Sequence, residues 1–214
     1  MQSISTIIGT CDGYSHLWKN FDILFKKYWK LDTVNYIVGE TIPFPYQGYE
    51  SITPGQGSWG DRILTCLEQV QTPYVFFILE DYYLTEEISE TVIQEHIELM
   101  EKYSANKIML DVIGHGEYNL KLVEDGLYMF NTHSNYLNSV QPSIWDTDYL
   151  KTVLKRHYSP WQFELEGNAF TSSISPKILI KARHQPIYFN YARVGGKVSH
   201  GWEAIFEKEN LTQY

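Results

Sequence analysis

The run Tyr74-Val75-Phe76-Phe77-Ile78-Leu79 is apolar throughout and stops at two adjacent carboxylates, Glu80 and Asp81. A segment with no polar face to turn toward water fits a strand covered on both sides, and such strands belong mostly to parallel sheets flanked by helices. The two acids then stand at the carboxyl end of that strand. In open α/β sheets ligands bind along this edge, so Glu80 and Asp81 are candidates for holding a cation or a polar substrate. The plainer alternative is a solvated strand end with ordinary surface or capping acids.

The segments around this run alternate in the way an α/β sheet requires. Ile4 to Gly9 reads as a short strand, followed by turn chemistry at Thr10-Cys11-Asp12-Gly13. Leu17, Phe21, Leu24, Phe25 and Tyr28 recur at helical intervals, and Thr33 to Val38 reads as a second strand ending at Gly39-Glu40. Residues Thr41 to Gly60 show no sustained period and read as a long loop at the ligand edge. Ile63, Leu64, Leu67 and Val70 mark a helix leading into the apolar strand. Thr85 is the expected cap of a helix carrying Glu86 and Glu87 in its first turn, with Ile88, Val92, Ile93, Ile97 and Met100 as its buried stripe. Lys107 to Val112 reads as a strand before a Gly-His-Gly turn at 114–116, Leu127 to Val140 as one or two antiparallel strands, and Asp148 to His157 as a helix.

Ser159-Pro160-Trp161-Gln162 is a helix start in which each position has a reason. Serine caps, proline fits the first helical position, and glutamine reaches back to close a capping box. Glu164 then falls about one turn into the helix, on the flank of the Trp161 and Leu165 face. A carboxylate in that setting is a candidate general base whose basicity partial desolvation would set; the alternative is an exposed helix glutamate.

A chain of 214 residues suits one α/β domain spanning 1–214. A net charge of −9 without a Lys/Arg-rich run argues against a protein that reads nucleic acid through its phosphates. Cys11 and Cys66 match no metal-ligand spacing and read as small packers in a reducing compartment. No window approaches the apolar length of a membrane span and no basic leader precedes one, so the expectation is a cytoplasmic protein, with peripheral association at the inner face of the membrane left open.

The order of these pieces resembles a glycosyltransferase of the GT-A fold, similar to the family 2-like bacterial enzymes of surface-polysaccharide assembly, over roughly residues 4–205. The resemblance implies a mostly parallel central sheet flanked by helices, with a small antiparallel portion. It implies a nucleotide-sugar donor, a saccharide or lipid-linked acceptor, and a divalent cation, Mn2+ or Mg2+. Asp12 and Glu40 match positions that hold the donor's base and ribose. Glu80 and Asp81 match the Asp-x-Asp element that binds the cation on the donor diphosphate, although Tyr82 stands where a second aspartate would. His200 matches a histidine that completes the metal site with Asp81. Gly195-Gly196-Lys197 offers a phosphate cradle, Arg62 and Arg193 further diphosphate contacts, and Glu164 matches the base of inverting members. Gln141-Pro142-Ser143-Ile144-Trp145 matches the pocket floor, where Trp145 and Trp161 either stack on sugars or pack in the core. Two other classes stay open on the residues: a glycoside hydrolase using Asp81 and Glu164, and a non-catalytic nucleotide-sugar or carbohydrate-binding module.

Overall fold

The computed structural model describes residues 3–110, 119–181, 188–190 and 202–211. In chain order these form β1 (Ile4–Gly9), α1 (Trp18–Tyr28), β2 (Asn35–Val38), β3 (Glu50–Ile52), α2 (Trp59–Leu67), β4 (Tyr74–Leu79), β5 (Tyr82–Leu84), α3 (Glu90–Tyr103) and β6 (Lys107–Met109). There follow β7 (Leu120–Glu124), β8 (Leu127–Phe130), β9 (Ser143–Asp146), α4 (Thr147–Val153), α5 (Pro160–Leu165), α6 (Gly167–Ser173), β10 (Ile178–Lys181), β11 (Tyr188–Asn190) and α7 (Glu203–Glu209).

Nine strands make one sheet in the order β3-β2-β1-β4-β9-β6-β10-β8-β7, and β5 pairs with β11 in a separate ribbon. Tracing the pairings shows that β8 and β9 run against the direction shared by the other strands of the large sheet. The sheet is therefore mostly parallel in direction, as expected, with β9 inserted antiparallel between β4 and β6.

The apolar run is β4, and its alternation accounts for the two halves of the core. Phe76 and Ile78 belong to the cluster with Phe21, Leu24 and Phe25 of α1 and Ile93, Ile97 and Met100 of α3. Val75 and Phe77 belong to the other, with Ile63 and Leu67 of α2, Leu150 and Val153 of α4 and Phe163 of α5. Each side chain of this size taken fully out of water contributes about 1.5–3 kcal/mol before entropy is counted, so neither face of β4 tolerates a polar residue.

Several boundaries differ from the sequence reading. The expected loop 41–60 contains β3, a short edge strand hydrogen-bonded to β2. The helix expected to start at Thr85 starts instead after Ser89, whose hydroxyl accepts from the Val92 N–H at 3.4 Å. Ile88 is drawn away from it because its backbone N–H donates to the Tyr28 carbonyl and its own carbonyl accepts from Lys30. The strand expected over 107–112 is described as far as Met109, and the Gly-His-Gly turn lies outside the described residues. Residues 131–142 form no strand, the hairpin partner of β8 being β7 on its amino-terminal side. Helix α4 is shorter than expected and is capped by Asp146, which accepts from the Tyr149 N–H at 2.7 Å.

Candidate active site

The parallel register levels the carboxyl ends of three strands: Gly9 of β1 is opposite Val38 of β2 on one side and Leu79 of β4 on the other. The next residues of each strand, Thr10-Cys11, Gly39-Glu40 and Glu80-Asp81, consequently emerge side by side. Of these, Thr10, Cys11, Glu40, Glu80 and Asp81 line a cavity of about 680 Å³, to which Arg62 and Trp59 of α2 and Val140, Pro160, Trp161 and Glu164 also contribute. Gly9 lets β1 sit this close, since a Cβ there would come within 2.9 Å of the Leu79 side chain and 3.3 Å of Trp59 Nε1.

Asp12 and Glu40 brace each other. Glu40 Oε2 accepts from the Asp12 N–H at 3.1 Å, and the Asp12 carboxylate accepts from the Thr41 N–H at 3.1 Å, the Ile42 N–H at 3.2 Å and the Thr41 hydroxyl at 2.5 Å. The Thr41 hydroxyl, followed by these N–H groups, holds the Asp12 carboxyl below its ordinary range. Glu40 lines the cavity, whereas Asp12 does not and is occupied in tying two loops together. Where donor contact was expected of Asp12, the structure shows its oxygens accepting three donors from the neighbouring loop.

Arg62 is 5% exposed. Its Nη1 donates to the Gly57 carbonyl at 2.6 Å and pairs with Glu40 Oε1 at 3.2 Å, while Nε has no hydrogen-bond partner among the described residues. Among the described residues that line the cavity, Arg62 shares the lining with four acids: Glu40, Glu80, Asp81 and Glu164.

Glu80 is also 5% exposed. Burial first, and then the adjacent Asp81 charge, hold its carboxyl well above the ordinary range, against hydrogen bonds from the Thr10 hydroxyl and the Cys11 N–H that favour ionisation. The Thr10 oxygen is fixed in turn by Trp18 Nε1 at 2.7 Å. A carboxyl raised in the folded state stabilises below its unfolded value, and that stability is lost as pH rises through the folded value. We therefore expect Glu80→Gln to melt higher than the parent at about pH 8 and to flatten the fall in melting temperature between about pH 5 and that point. Circular-dichroism melts of both proteins across this range check it; parallel profiles would mean that Glu80 ionises without cost.

Glu164 comes from α5, whose start has the expected form: Ser159 Oγ accepts from the Gln162 N–H at 3.2 Å and Gln162 Oε1 accepts from the Ser159 N–H at 3.0 Å. Glu164 Oε1 accepts from the Val140 N–H at 2.8 Å. Desolvation pushes its carboxyl up, opposed by that N–H, by the charge of Lys107 and by the Ser139 hydroxyl. A carboxylate with raised basicity in a cleft has the character a general base needs near neutral pH.

The two tryptophans divide. Trp161 is 57% exposed and lines the cavity, so its ring is available to a ligand. Trp145 is 0% exposed, lying between Phe163 and Tyr149, which leaves no face for a sugar; the stacking expectation for Trp145 is corrected to core packing. Of the segment expected to be pocket floor, Ser143-Ile144-Trp145 belong to β9, and Gln141-Pro142 lead into it. Of the thiols, Cys66 is buried in the core, whereas Cys11 lines the cavity with its pKa raised to about 11, mainly by burial. Lys197, His200, Arg193 and Gly195-Gly196 lie outside the described residues.

For a divalent cation the described residues offer a partial set. Glu80 and Asp81 both line the cavity, but no group of three ligating side chains occurs among the described residues. Magnesium is commonly held by one or two carboxylates with water and substrate phosphates filling the remaining positions, so the acid pair fits a cation that arrives with a phosphorylated ligand.

Sequence reasoning did not single out Lys107, which is buried beneath Glu164's neighbours. The available signal was a lysine opening an otherwise apolar strand, Lys107-Ile108-Met109-Leu110.

No family model matches the chain, and no curated protein does. Solved structures do. The chain superposes on UDP-glucose pyrophosphorylase, solved with UDP-glucose, with a TM-score of 0.57 at 12% identity, covering 96% of this chain and 99% of that one. It matches S. aureus TarS with a TM-score of 0.56 at 13% identity over 96% of its own length but 38% of TarS, so it spans well under half of that protein. TarS 1–349 has been solved with UDP-GlcNAc. The bifunctional IspDF from Campylobacter jejuni gives a TM-score of 0.51 at 15% identity, over 86% of this chain and 50% of that chain. The fold is that of the nucleotide-diphospho-sugar transferases, GT-A-like. Among the described residues no helix is long and apolar enough to cross a membrane.

Proposed function

We propose that this chain is a nucleotide-sugar-dependent glycosyltransferase, moving a sugar from a nucleoside diphosphate donor to a hydroxyl of a saccharide or lipid-linked acceptor with inversion. One observation carries the reading: Glu164, a desolvated carboxylate from α5, lines the same cavity as Glu80-Asp81 at the end of β4 and Arg62 of α2. Glu164 takes the proton of the acceptor hydroxyl as that oxygen attacks the anomeric carbon; the glycosidic bond to the donor breaks and its electron pair leaves with the diphosphate. A base on the face opposite the leaving group gives inversion. Arg62, with its unmatched Nε, meets the developing phosphate charge. Trp161 supplies an apolar platform for a sugar ring at the mouth. A manganese or magnesium ion on Asp81, when bound, supplies positive charge to the leaving diphosphate. A cavity with four acids and Arg62 among its described lining residues repels a polyanion, which is a physical reason for the cation to accompany the donor. The fold's company supports the donor class, since relatives of the same fold have been solved with UDP-glucose and UDP-GlcNAc. Bacterial surface-polysaccharide synthesis at the inner face of the membrane is the setting that such acceptors imply.

The test is ligand-linked stability. UDP, GDP or CDP with manganese at about a hundred times its Kd adds about 2.7 kcal/mol, a rise in Tm of roughly 5–10 °C for a chain of this length. A full nucleotide panel at millimolar concentration with no shift would remove the donor-site assignment.

A further inference from the structure

Lys107 opens β6 opposite Trp145 of β9 and is 0% exposed. Its Nζ donates to the carbonyl oxygens of Ser139 at 2.7 Å and Leu137 at 3.3 Å, and stands 4.1 Å from the centre of the Trp145 ring. Among the described residues no carboxylate lies within ion-pair distance of it. A fully buried ammonium with carbonyls and a ring as its company is costly to keep, and a methionine of similar volume would fill the space without that cost. Its effect is instead felt at the other end of the peptide group it holds. The Ser139-Val140 peptide whose carbonyl Lys107 holds presents the Val140 N–H to Glu164 Oε1 at 2.8 Å. The same segment is pinned to α5 and α6 from its other side: Leu137 N–H donates to Asn168 Oδ1 at 2.7 Å, and Asn138 Nδ2 to the Phe163 carbonyl at 3.1 Å.

We infer that Lys107 is a positioning residue for Glu164: it clamps the Leu137 and Ser139 carbonyls from beneath, so that the Val140 N–H orients the carboxylate toward the cavity. The inference rests on the reading of Glu164 as base. The coupling has an electrostatic side as well. Burial brings Lys107 down to about 7, against the opposing pull of Glu164, and the lysine's charge in return favours the ionised carboxylate. The other titratable or charged groups lining the cavity around Glu164 are Glu40, Arg62, Glu80, Asp81, Cys11, Tyr14 and Tyr82, none of which the substitutions below alter.

Two variants separate the clamp from the charge. Lys107→Met removes both; Lys107→Gln keeps a hydrogen-bond donor for the carbonyls and removes only the charge, and it carries the test if the methionine protein does not fold. The first readout needs no substrate: the carboxyl carbon of Glu164 followed by NMR in protein labelled at glutamate, its signal assigned by its absence from Glu164→Gln. Glu164 is expected to titrate at higher pH in both variants. The second readout is kcat against pH. Lys107→Met should lose about tenfold to a hundredfold in kcat with donor KM nearly unchanged, its acid limb displaced upward, and Lys107→Gln should recover part of the loss. An unmoved Glu164 titration, or a loss of activity that merely follows the folded fraction, overturns the inference. If Glu164→Gln itself keeps turning over, the catalytic reading fails, while the NMR titration still decides whether Lys107 governs that carboxylate.

Discussion

Glu164→Gln should bind donor normally and fail to transfer sugar. The amide oxygen keeps the bond from the Val140 N–H, so α5 and the cavity wall stay in place. Only basicity is lost. A positioned general base contributes about 10²–10⁴-fold, and kcat should fall by that factor while the nucleotide-induced rise in melting temperature is unchanged. The wild-type pH profile follows from the direction of the shift. Because desolvation raises the Glu164 carboxyl and the base must be ionised to act, kcat should climb through a value above that of an ordinary glutamate and then level. Assay of transfer and of donor hydrolysis on both proteins checks this, and retained turnover would remove Glu164 as base. A variant that loses hydrolysis of a glycoside instead of transfer would favour the glycosidase reading.

Gly60→Ala should be the most destabilising small substitution in the fold. Gly60 sits in the first turn of α2, where the helix start is locked onto the segment 155–158. Its N–H donates to the Tyr158 carbonyl at 2.8 Å, the Ser58 hydroxyl donates to the Arg156 carbonyl, and Arg156 pairs with Asp61 and Glu68. A methyl at Gly60 would run into the Lys155 carbonyl oxygen and lie 3.2 Å from that of Arg156. Backbone must move. Overpacking of this kind costs about 3 kcal/mol, or roughly 6–12 °C in melting temperature at this chain length. Arg62 lies two residues along the same helix, so the shift should also weaken nucleotide binding. A melt that matches the parent would show that the α2 start is slack.

How far the sequence reveals this architecture depends on which elements advertise themselves. β4 is visible because it is buried on both faces and has no polar position to dilute the pattern. The α5 start is visible because capping chemistry is local, and both bonds of the box form between residues three apart. β9 is equally central yet hidden. It offers only Ser143-Ile144-Trp145-Asp146 after a proline, and Ser143 settles its own polarity by donating to the Gln141 carbonyl and accepting from Trp145 Nε1. β3, with Glu50 and Ser51 exposed at the sheet edge, has no apolar pattern to display. Within the site, the sequence separates the acids from the background but not their duties. Asp12 and Glu40 carry the same charge, and only the loops' hydrogen bonds decide that one braces while the other lines the cavity. Trp145 and Trp161 differ in the same way, through packing that spacing along the chain does not encode. Lys107 is concealed by the ordinary expectation that lysine faces water.

The insertion of β9 sets the order in which this protein can assemble. Strands β4 and β6 never touch as neighbours; each is completed only by a strand that follows β6 in the chain by more than thirty residues. Before that strand docks, the first half of the molecule has an open, apolar edge along β4, and the contacts that close it are distant in sequence. Such closure slows folding and leaves the edge exposed to other chains meanwhile. During synthesis, then, the vulnerable interval runs from the emergence of β4 until Ser143–Asp146 has left the ribosome, a stretch in which a chaperone would have its clearest substrate.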